Sequence, residues 1–222
     1  IAHELNNPIN NIHLTAETIL EDYDSVPPAE GKELIGDILS QAERAGDIIK
    51  NLLDFSRSEM PVFTELNIRD VLQKTLKLVK NQIMLTGISV EIDISEDIPV
   101  IQGNFRNLEQ IFLNLLINAI QALSEGGHIT IRALQDSDQF ILIDIADNGT
   151  GIKPEDLDHI FDPFYTTKAV GHGTGLGLAV SYALVKKHGG HIEVKSRVKA
   201  GTTVSVYLPV TRPAESNNGV TI

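Results

Sequence analysis

Apolar residues recur at alternating steps of four and three through about the first sixty residues of the chain. The first run comprises Leu5, Ile9, Ile12, Ala16 and Ile19. The second run comprises Leu34, Ile38, Gln41, Ala45, Ile48, Leu52 and Phe55, with Gln41 as its polar member. This spacing is the a/d stripe of amphipathic helices that pack in a bundle, so two helices are predicted.

Pro27 and Pro28 separate the two runs. A helix should end before Pro27, and Pro28 is suited to the first turn of the next helix. The short connection makes the two helices antiparallel neighbours. Because two helices bury little surface alone, we expect this hairpin to dimerise into a four-helix bundle. The alternative is that the stripe packs on the C-terminal part of the chain.

Beyond Met60-Pro61 the pattern changes to short alternating runs mixed with helical ones. Strands are predicted at 62–66, 88–94, 128–134, 139–147, 191–196 and 202–208, and helices at 68–85, 104–123 and from Gly175 to about His188. These elements indicate an α+β sandwich, with one mixed sheet and helices on one face. The predicted domains are 1–59 and 60–210, followed by a polar tail at 211–222 that we expect to be disordered.

Composition narrows the classes of function. The 222 residues carry a formal net charge of −12 and no cysteine, which excludes disulfides and thiolate metal sites. The acidic balance argues against binding to nucleic acid, which needs clustered Lys and Arg. No apolar run approaches the ~18 residues that a membrane helix needs. Since the first residue is Ile rather than Met, we expect a fragment whose upstream sensor segment is not included.

The start of the first predicted helix carries His3, Glu4, Asn7 and Pro8. His3 lies about 200° around the helix from Leu5 and should face solvent, with Asn7 one turn further on the same face. Pro8 lacks an N–H and should bend the helix there, unless it lies near a frayed end. Taken alone, His3 is an ordinary exposed histidine.

Asn114 and Asn118 share one face of an otherwise apolar predicted helix. Amides in apolar surroundings must find hydrogen-bond partners. Amide oxygens suit Mg²⁺, which takes few protein ligands together with water and phosphate oxygens. The other interpretation, that both amides bond neighbouring backbone, is equally compatible with this spacing.

Asp147 ends a predicted strand and is followed by Asn148, Gly149, Thr150 and Gly151. The glycines permit positive φ and close approach of a planar ring. A carboxylate here would be able to accept a hydrogen bond from an exocyclic amine such as that of adenine. Asn-Gly is also a strong hairpin-turn signal, which favours a plain turn when this segment is taken alone.

Gly173, Gly175 and Gly177 alternate just before a predicted helix, which is the arrangement of a phosphate cradle. The aromatic segment 161–165 precedes them and would anchor one end of a mobile lid, with Lys168 within reach of a phosphate. The alternative is a packed aromatic turn with a solvated lysine. A glycine-rich loop alone is weak evidence, and no dinucleotide fingerprint surrounds this one.

Taken in this order, these residues resemble the sensor histidine kinases of two-component systems over nearly the whole chain, from His3 to Pro209. Residues 3–8 are similar to the phosphoacceptor box. Residues 114–118, 147–151, 161–164 and 173–177 are similar to the four boxes of the ATP site. Five boxes in the right order make a highly specific signal.

The resemblance implies a role for each matching residue. His3 would be the nucleophile, with Glu4 fixing its tautomer and acting as base. Asn118 would hold Mg²⁺, Asn114 would lie at the phosphates, and Asp147 would bind the adenine amine. The residues implied to close on or contact the nucleotide are Gly149, Gly151, Lys168, Gly173, Gly175 and Gly177, with Thr202 as a weaker candidate for the adenine pocket.

The resemblance also implies ATP and Mg²⁺ as cofactors, a homodimer, and a response-regulator receiver domain as partner. An amide at Asn7 is associated in this family with regulator dephosphorylation, so a bifunctional kinase and phosphatase is our hypothesis. We expect this portion of the protein to be cytoplasmic, and the resemblance leaves membrane anchoring of the full-length protein open. The segment Thr167 to Gly173 is short, as in short-lid members. Asn104, which is predicted to cap the helix at 104–123, stands where the family usually has Asp, and either residue caps a helix.

Two competing functions remain at this stage. Gyrase-like or chaperone-like ATPases share the ATP fold but hydrolyse ATP with a Glu where Asn114 stands. A degenerate, non-catalytic kinase would dimerise and bind a regulator without binding nucleotide. The intact boxes and the helical hairpin favour the kinase.

Overall fold

A computed structural model describes residues 2–21, 23, 25, 27–56, 62–168 and 173–210, without the side chains of residues 2–4, 47–48 and 50–56. The chain divides into two compact units. One contains Ile1–Glu59 and Phe164–Leu176, and the other contains Met60–Pro163 and Gly177–Ile222. The predicted helix end at Met60-Pro61 and the predicted disorder of 211–222 lie outside the described residues.

The N-terminal hairpin consists of helices α1 (Ala2–Glu21) and α2 (Pro28–Ser56), which pack against each other. Helix α2 begins at Pro28, as expected from the missing N–H of proline. Leu5 and Ile12 are half-buried in this packing, whereas Ile9 is 48% exposed although it belongs to the predicted stripe.

The described side chains of the hairpin form almost no buried core. Among its described side chains only Pro8 is buried. Further apolar side chains are exposed on both helices at Leu14, Leu20, Ile35, Leu39 and Ile49. Gln41 Oε1 and Arg44 Nε are buried without a hydrogen-bond partner in the described part of the chain.

The second unit contains the remaining helices and all of the strands in the described ranges. They are β1 (Thr64–Leu66), α3 (Ile68–Thr86), β2 (Ser89–Ile94), β3 (Ile101–Gly103), α4 (Phe105–Ala122), β4 (His128–Gln135), β5 (Phe140–Asp147), α5 (Pro154–Leu157), α6 (Gly177–Lys187), β6 (His191–Arg197) and β7 (Gly201–Pro209). The sequence pattern missed β3 and α5. They span three and four residues, too few for a hydrophobic period to be visible.

A five-stranded sheet with the order β2-β4-β5-β7-β6 forms the base of this unit. The β2–β4 pair is parallel and the other three pairs are antiparallel, so the sheet is mixed as predicted. The prediction of one sheet was incomplete, because β1 and β3 form a separate antiparallel pair.

One face of the large sheet carries the core. Ala133, Ile143 and Val206 lie in one row of cross-strand partners, and all three are fully buried. Helix α4 is buried along the face that carries Phe112 and Leu116, and it packs against both α3 and α6. The helices therefore cover one face, as the α+β prediction requires.

Candidate nucleotide and phosphoacceptor sites

The predicted phosphoacceptor residues lie at the start of α1. His3 and Glu4 belong to this helix, but their side chains are outside the described residues, so their predicted contacts stay predictions. Asn7 is exposed, one turn beyond His3, and Pro8 lies inside the helix. The exposed amide of Asn7 is placed where a partner protein would be able to reach it.

Asn114 links two helices of the second unit. Its Nδ2 donates to the carbonyl oxygen of Gly177 at 3.0 Å and to Oγ of Ser181 at 3.3 Å. Its Oδ1 accepts from Nε2 of Gln110 at 2.9 Å. Both ends of the amide are therefore hydrogen-bonded within the second unit, to the backbone of α6 and to two side chains. A role at the phosphates stays a prediction.

Ser181 is a member of this network that sequence reasoning missed. Its hydroxyl donates to the carbonyl of Gly177 at 2.8 Å, and the residue is fully buried. A serine four residues into a helix carries no sequence signal that distinguishes it from a solvent-facing one. Asn118 lies one turn beyond Asn114 on α4 and is half-buried.

Asp147 ends β5 beside Thr202 of β7, its cross-strand partner. Its Oδ1 accepts from the backbone N–H of Gly149 at 2.8 Å. Burial raises the pKa of the Asp147 carboxyl, and the backbone N–H groups of Gly149 and Thr202 oppose that rise with a smaller effect. A carboxyl group partly shielded from water at a strand end is suited to accept one further, directed hydrogen bond.

The glycines after Asp147 allow the loop to pack tightly on the protein itself. A Cβ at Gly149 would lie 2.4 Å from the carbonyl oxygen of Ala122, and one at Gly151 would lie 2.1 Å from that of Arg197. Gly151 also has φ +68°. The segment leads from β5 to α5 rather than back into a strand, so the hairpin-turn interpretation was wrong.

Thr202 is joined to the end of the same loop through Ser196. The hydroxyls of Thr202 and Ser196 are 2.9 Å apart, and Ser196 Oγ accepts from the backbone N–H of Ile152 at 2.8 Å. Sequence reasoning named Thr202 but missed Ser196, because a polar residue at alternate strand positions is indistinguishable from a solvent-facing one.

The segment 164–176 belongs to the first unit, and a backbone hydrogen bond joins residues near its two ends. The backbone N–H of Phe164 donates to the carbonyl of Gly175 at 2.9 Å. Gly175 has φ +64°, and a Cβ there would lie 2.3 Å from the carbonyl carbon of Phe164. Burial lowers the pKa of the Lys168 ammonium, whereas the alternative interpretation has this lysine solvated.

Gly173 also lies in this segment, against Thr166 and Lys168, while Gly177 opens α6 in the second unit. Residues 169–172 are outside the described residues. That Lys168, Gly173 and Gly175 converge on one nucleotide with Asn118 and Asp147 stays a prediction.

The fold and its polar residues define a class of protein. A mixed five-stranded sheet with helices on one face, an Asp at a strand end followed by a glycine loop, and an Asn-bearing helix are features of the histidine kinase, gyrase and chaperone ATPases. No helix in the described ranges is both long enough and apolar enough to cross a membrane.

Comparison with known proteins identifies the family. The model described as histidine kinase-, DNA gyrase B- and HSP90-like ATPase matches residues 103–212. The model of the His Kinase A (phospho-acceptor) domain matches residues 1–61. The chain belongs to the protein-histidine kinases of two-component systems, as the sequence motifs predicted.

Individual relatives agree with this assignment. The chain is 34% identical over 212 residues to the sensor histidine kinase ZraS of Escherichia coli (strain K12), covering 95% of this chain and 44% of that protein. It is 34% identical over 224 residues to the sensor kinase CckA of Brucella abortus (strain 2308), covering 94% of this chain and 23% of that protein. The chain therefore spans less than half the length of these relatives.

Solved structures of histidine kinases are similar to this chain. The histidine kinase ThkA in complex with the response regulator protein TrrA superposes with a TM-score of 0.78 at 26% identity, over 95% of this chain and 60% of that one. A catalytic domain of ThkA matches 67% of this chain with a TM-score of 0.61 at 29% identity.

Proposed function

We propose that this chain uses ATP to phosphorylate its own His3 and then passes the phosphoryl group to an aspartate of a response-regulator receiver domain. The observation that carries the proposal is the presence, in one chain, of a phosphoacceptor domain that contains His3 and an ATPase domain. We further propose a domain boundary near residues 59–60, which the end of the phosphoacceptor match at residue 61 supports.

In the first step, a ring nitrogen of His3 attacks the γ-phosphorus of ATP in line, and the bond from that phosphorus to the β–γ bridging oxygen breaks. ADP leaves, and the proton of the attacking imidazole passes to Glu4. Phosphoryl transfer depends mainly on positioning and charge neutralisation, which explains how a short list of residues suffices. Asp147 accepts a hydrogen bond from the adenine amine and thereby orients the nucleotide.

Mg²⁺ fits the donor chemistry of α4. The amide oxygen of Asn118 is a hard neutral ligand of the kind that Mg²⁺ takes together with phosphate oxygens and water. When bound, the cation neutralises charge on the phosphates of the nucleotide. Lys168 adds positive charge near the phosphates, which is needed in a chain whose net charge is −12.

The proposed partners are a second copy of the chain and a receiver domain. The hairpin leaves Leu14, Ile35 and Leu39 exposed in one copy, and a four-helix bundle would cover such side chains. ThkA, whose structure resembles this chain, is seen in complex with a response regulator. Because the proposed receiver partner and the ATP substrate are cytoplasmic, we propose that these two domains lie in the cytoplasm.

The structure also bears on the rival hydrolase. The rival hydrolase needs a Glu at position 114, where this chain has Asn114, whose Nδ2 donates to the carbonyl of Gly177 at 3.0 Å. A carboxylate has no proton to donate to that carbonyl. The α4–α6 contact is therefore built around an amide, which favours the kinase over a gyrase-like ATPase.

We also propose that the chain dephosphorylates its response regulator. Asn7 is exposed one helical turn beyond His3 and is able to orient an attacking water at the aspartyl phosphate of a bound receiver. Asn7→Ala should spare autophosphorylation and slow loss of phosphate from the regulator. Equal dephosphorylation rates for the variant and the wild type would reject the phosphatase role.

The decisive experiment is autophosphorylation with γ-labelled ATP and Mg²⁺, comparing the chain with His3→Gln. The wild type should acquire an acid-labile, alkali-stable label, and the variant should acquire none while still binding a nucleotide analogue. His13→Gln is the matched control on the same helix and should label normally. Steady ATP hydrolysis without labelled protein would support the hydrolase, and failure to bind nucleotide would support the non-catalytic scaffold.

A further inference from the structure

His188 is a buried polar residue that the proposed chemistry does not use. It follows α6 directly and is 2% exposed. Histidine is seldom this buried unless its ring nitrogens are satisfied. The partners of the two ring nitrogens therefore indicate its role.

Each ring nitrogen of His188 has a partner of defined polarity. Nδ1 lies 2.8 Å from the carbonyl oxygen of Leu184, which only accepts, so Nδ1 carries the proton. Nε2 lies 3.1 Å from the backbone N–H of Asn104, which only donates, so Nε2 carries the lone pair. These two contacts select the neutral Nδ1–H tautomer.

The ring thereby joins the end of α6 to the start of α4. Asn104 is the N-cap of α4, and its Oδ1 accepts from the backbone N–H of Asn107 at 3.0 Å. The side-chain Nδ2 of Asn104 donates to the carbonyl of Val62 at 3.1 Å, and the Phe63 ring lies 4.9 Å from the His188 ring. Val62 and Phe63, which precede β1, therefore contact the same polar cluster.

A second polar contact joins the middle of α4 to the start of α6, where Asn114 contacts Gly177 and Ser181. The start of α4 meets the end of α6, and the middle of α4 meets the start of α6, so the two helices are antiparallel. Two polar contacts about ten residues apart on α4 define both the spacing and the axial register of the pair. Apolar packing alone tolerates small sliding of helices, whereas directed hydrogen bonds do not.

We propose that His188 is a positioning residue for phosphoryl transfer. Its neutral imidazole holds the register of α4 against α6, and so holds Asn118 relative to Gly177 at the glycine-rich start of α6. The expected effect on phosphoryl transfer rests on the proposed kinase function, whereas the hydrogen-bonded bridge from Asn104 through His188 to Leu184 belongs to the ATPase domain itself. A displacement of about 1 Å within a site built on positioning costs roughly a hundredfold in rate.

The test compares the full chain with His188→Leu and His188→Gln. Leucine fills the buried space without hydrogen bonds, whereas glutamine retains an acceptor for the Asn104 N–H. At a temperature where calorimetry shows every protein folded, His188→Leu should lower the autophosphorylation rate at saturating ATP by about tenfold or more, and His188→Gln should recover part of the loss. His191→Leu is the matched control on β6, where the ring stacks on Tyr207 at 4.1 Å, and it should behave as wild type.

Hydrogen exchange provides a readout that does not depend on the kinase reaction. In His188→Leu the backbone N–H groups of residues 104–108 should exchange faster, and the change should extend to residues 177–181 at the other contact. If folded His188→Leu reacts as wild type, or if exchange rises only at residue 104, the positioning role is rejected and His188 is merely structural. If wild type fails to bind nucleotide, the proposed function fails, while the exchange pattern still decides whether His188 sets the register.

Discussion

The helical hairpin and the ATPase domain differ in how they are stabilised. Phe112, Ile143 and Val206 of the ATPase domain are fully buried within one chain. The hairpin buries only Pro8 among its described side chains and leaves Leu39 61% exposed. The ATPase domain has a buried apolar core, whereas the described part of the hairpin exposes apolar side chains of the kind that form a core. The stability of the ATPase domain is therefore a property of one chain, whereas the hairpin would complete its core only in the proposed dimer.

Truncating a buried side chain should give the largest difference in unfolding free energy between the ATPase domain and the hairpin. Phe112→Ala removes a fully buried ring and should cost about 3–5 kcal/mol in the free energy of unfolding of the ATPase domain. Leu39→Ala, at an exposed hairpin position, should change that free energy by less than about 0.5 kcal/mol. Urea unfolding of the full chain measures both. Similar losses for the two variants would contradict an ATPase-domain core that is independent of the hairpin.

Dimerisation should depend on the hairpin alone. Leu39→Asp places a charge where the proposed bundle buries an apolar side chain twice, once per copy. Since burial of each leucine contributes about 1.5–3 kcal/mol, the dimer dissociation constant should rise more than a hundredfold. Leu78→Asp is the matched control, because Leu78 of α3 is 58% exposed against 61% for Leu39. Sedimentation equilibrium should show a dimer for the control and the wild type only; unchanged association of Leu39→Asp would move the interface elsewhere.

Replacing the Nδ2 donor of Asn114, which joins α4 to α6, should lower the free energy of unfolding. Asn114→Asp keeps the shape of the side chain but places an acceptor against the carbonyl of Gly177, which should cost about 1–3 kcal/mol in unfolding free energy. Ser181→Ala removes one partner and should cost less, about 1 kcal/mol. Calorimetry of the full chain measures both. A variant Asn114→Asp as stable as wild type would mean that the contact with Gly177 contributes nothing.

The smallest expected effect is the pH dependence of folding stability that Asp147 causes. Burial raises the pKa of this carboxyl in the folded protein, so the protonated form is favoured on folding. Its stabilising contribution is complete below the unfolded-state pKa of 3.8 and is lost as the pH rises through the higher folded-state value. Wild type should therefore gain stability relative to Asp147→Asn when the pH falls from about 7 to about 4.

Unfolding midpoints of the two proteins across this pH range test the prediction, and parallel curves would contradict it. Asp147→Asn should also weaken binding of an ATP analogue at pH 7, because an uncharged amide oxygen is a weaker acceptor for the adenine amine. Glu91 provides the control for nucleotide binding, because its exposed carboxylate pairs with His128 at 3.4 Å and Glu91→Gln should leave binding unchanged.

Much of the fold could be predicted from local patterns. The proline pair placed the start of α2 at Pro28, and Asn104 was predicted as a cap and is one, through its contact with the backbone of Asn107. Both predictions succeed because caps and proline effects act within one turn of the chain. The strands β4 and β5 were predicted from alternation, which reflects a sheet with one buried face.

Long-range partners could not be predicted in the same way. Nothing near Ser196 or Ser181 in the sequence indicates that their hydroxyls bond Thr202 and Asn114. The separate pairing of β1 with β3 was missed because strand pairing depends on residues about forty positions apart, Thr64 with Gly103. The contact of Asn114 with Gly177 was missed for the same reason, because Gly177 lies 63 residues further along the chain.

The sequence by itself determined the family, the order of the longer helices and strands, and the residue types at the five motifs, because these depend on local periods and on residue identity. The tertiary structure alone decided which polar groups meet: His188 with Asn104, Asn114 with Gly177, and Asp147 with Gly149 and Thr202. The physical reason is that hydrogen bonds require partners within about 3 Å, and only folding brings residues distant in the chain to that separation.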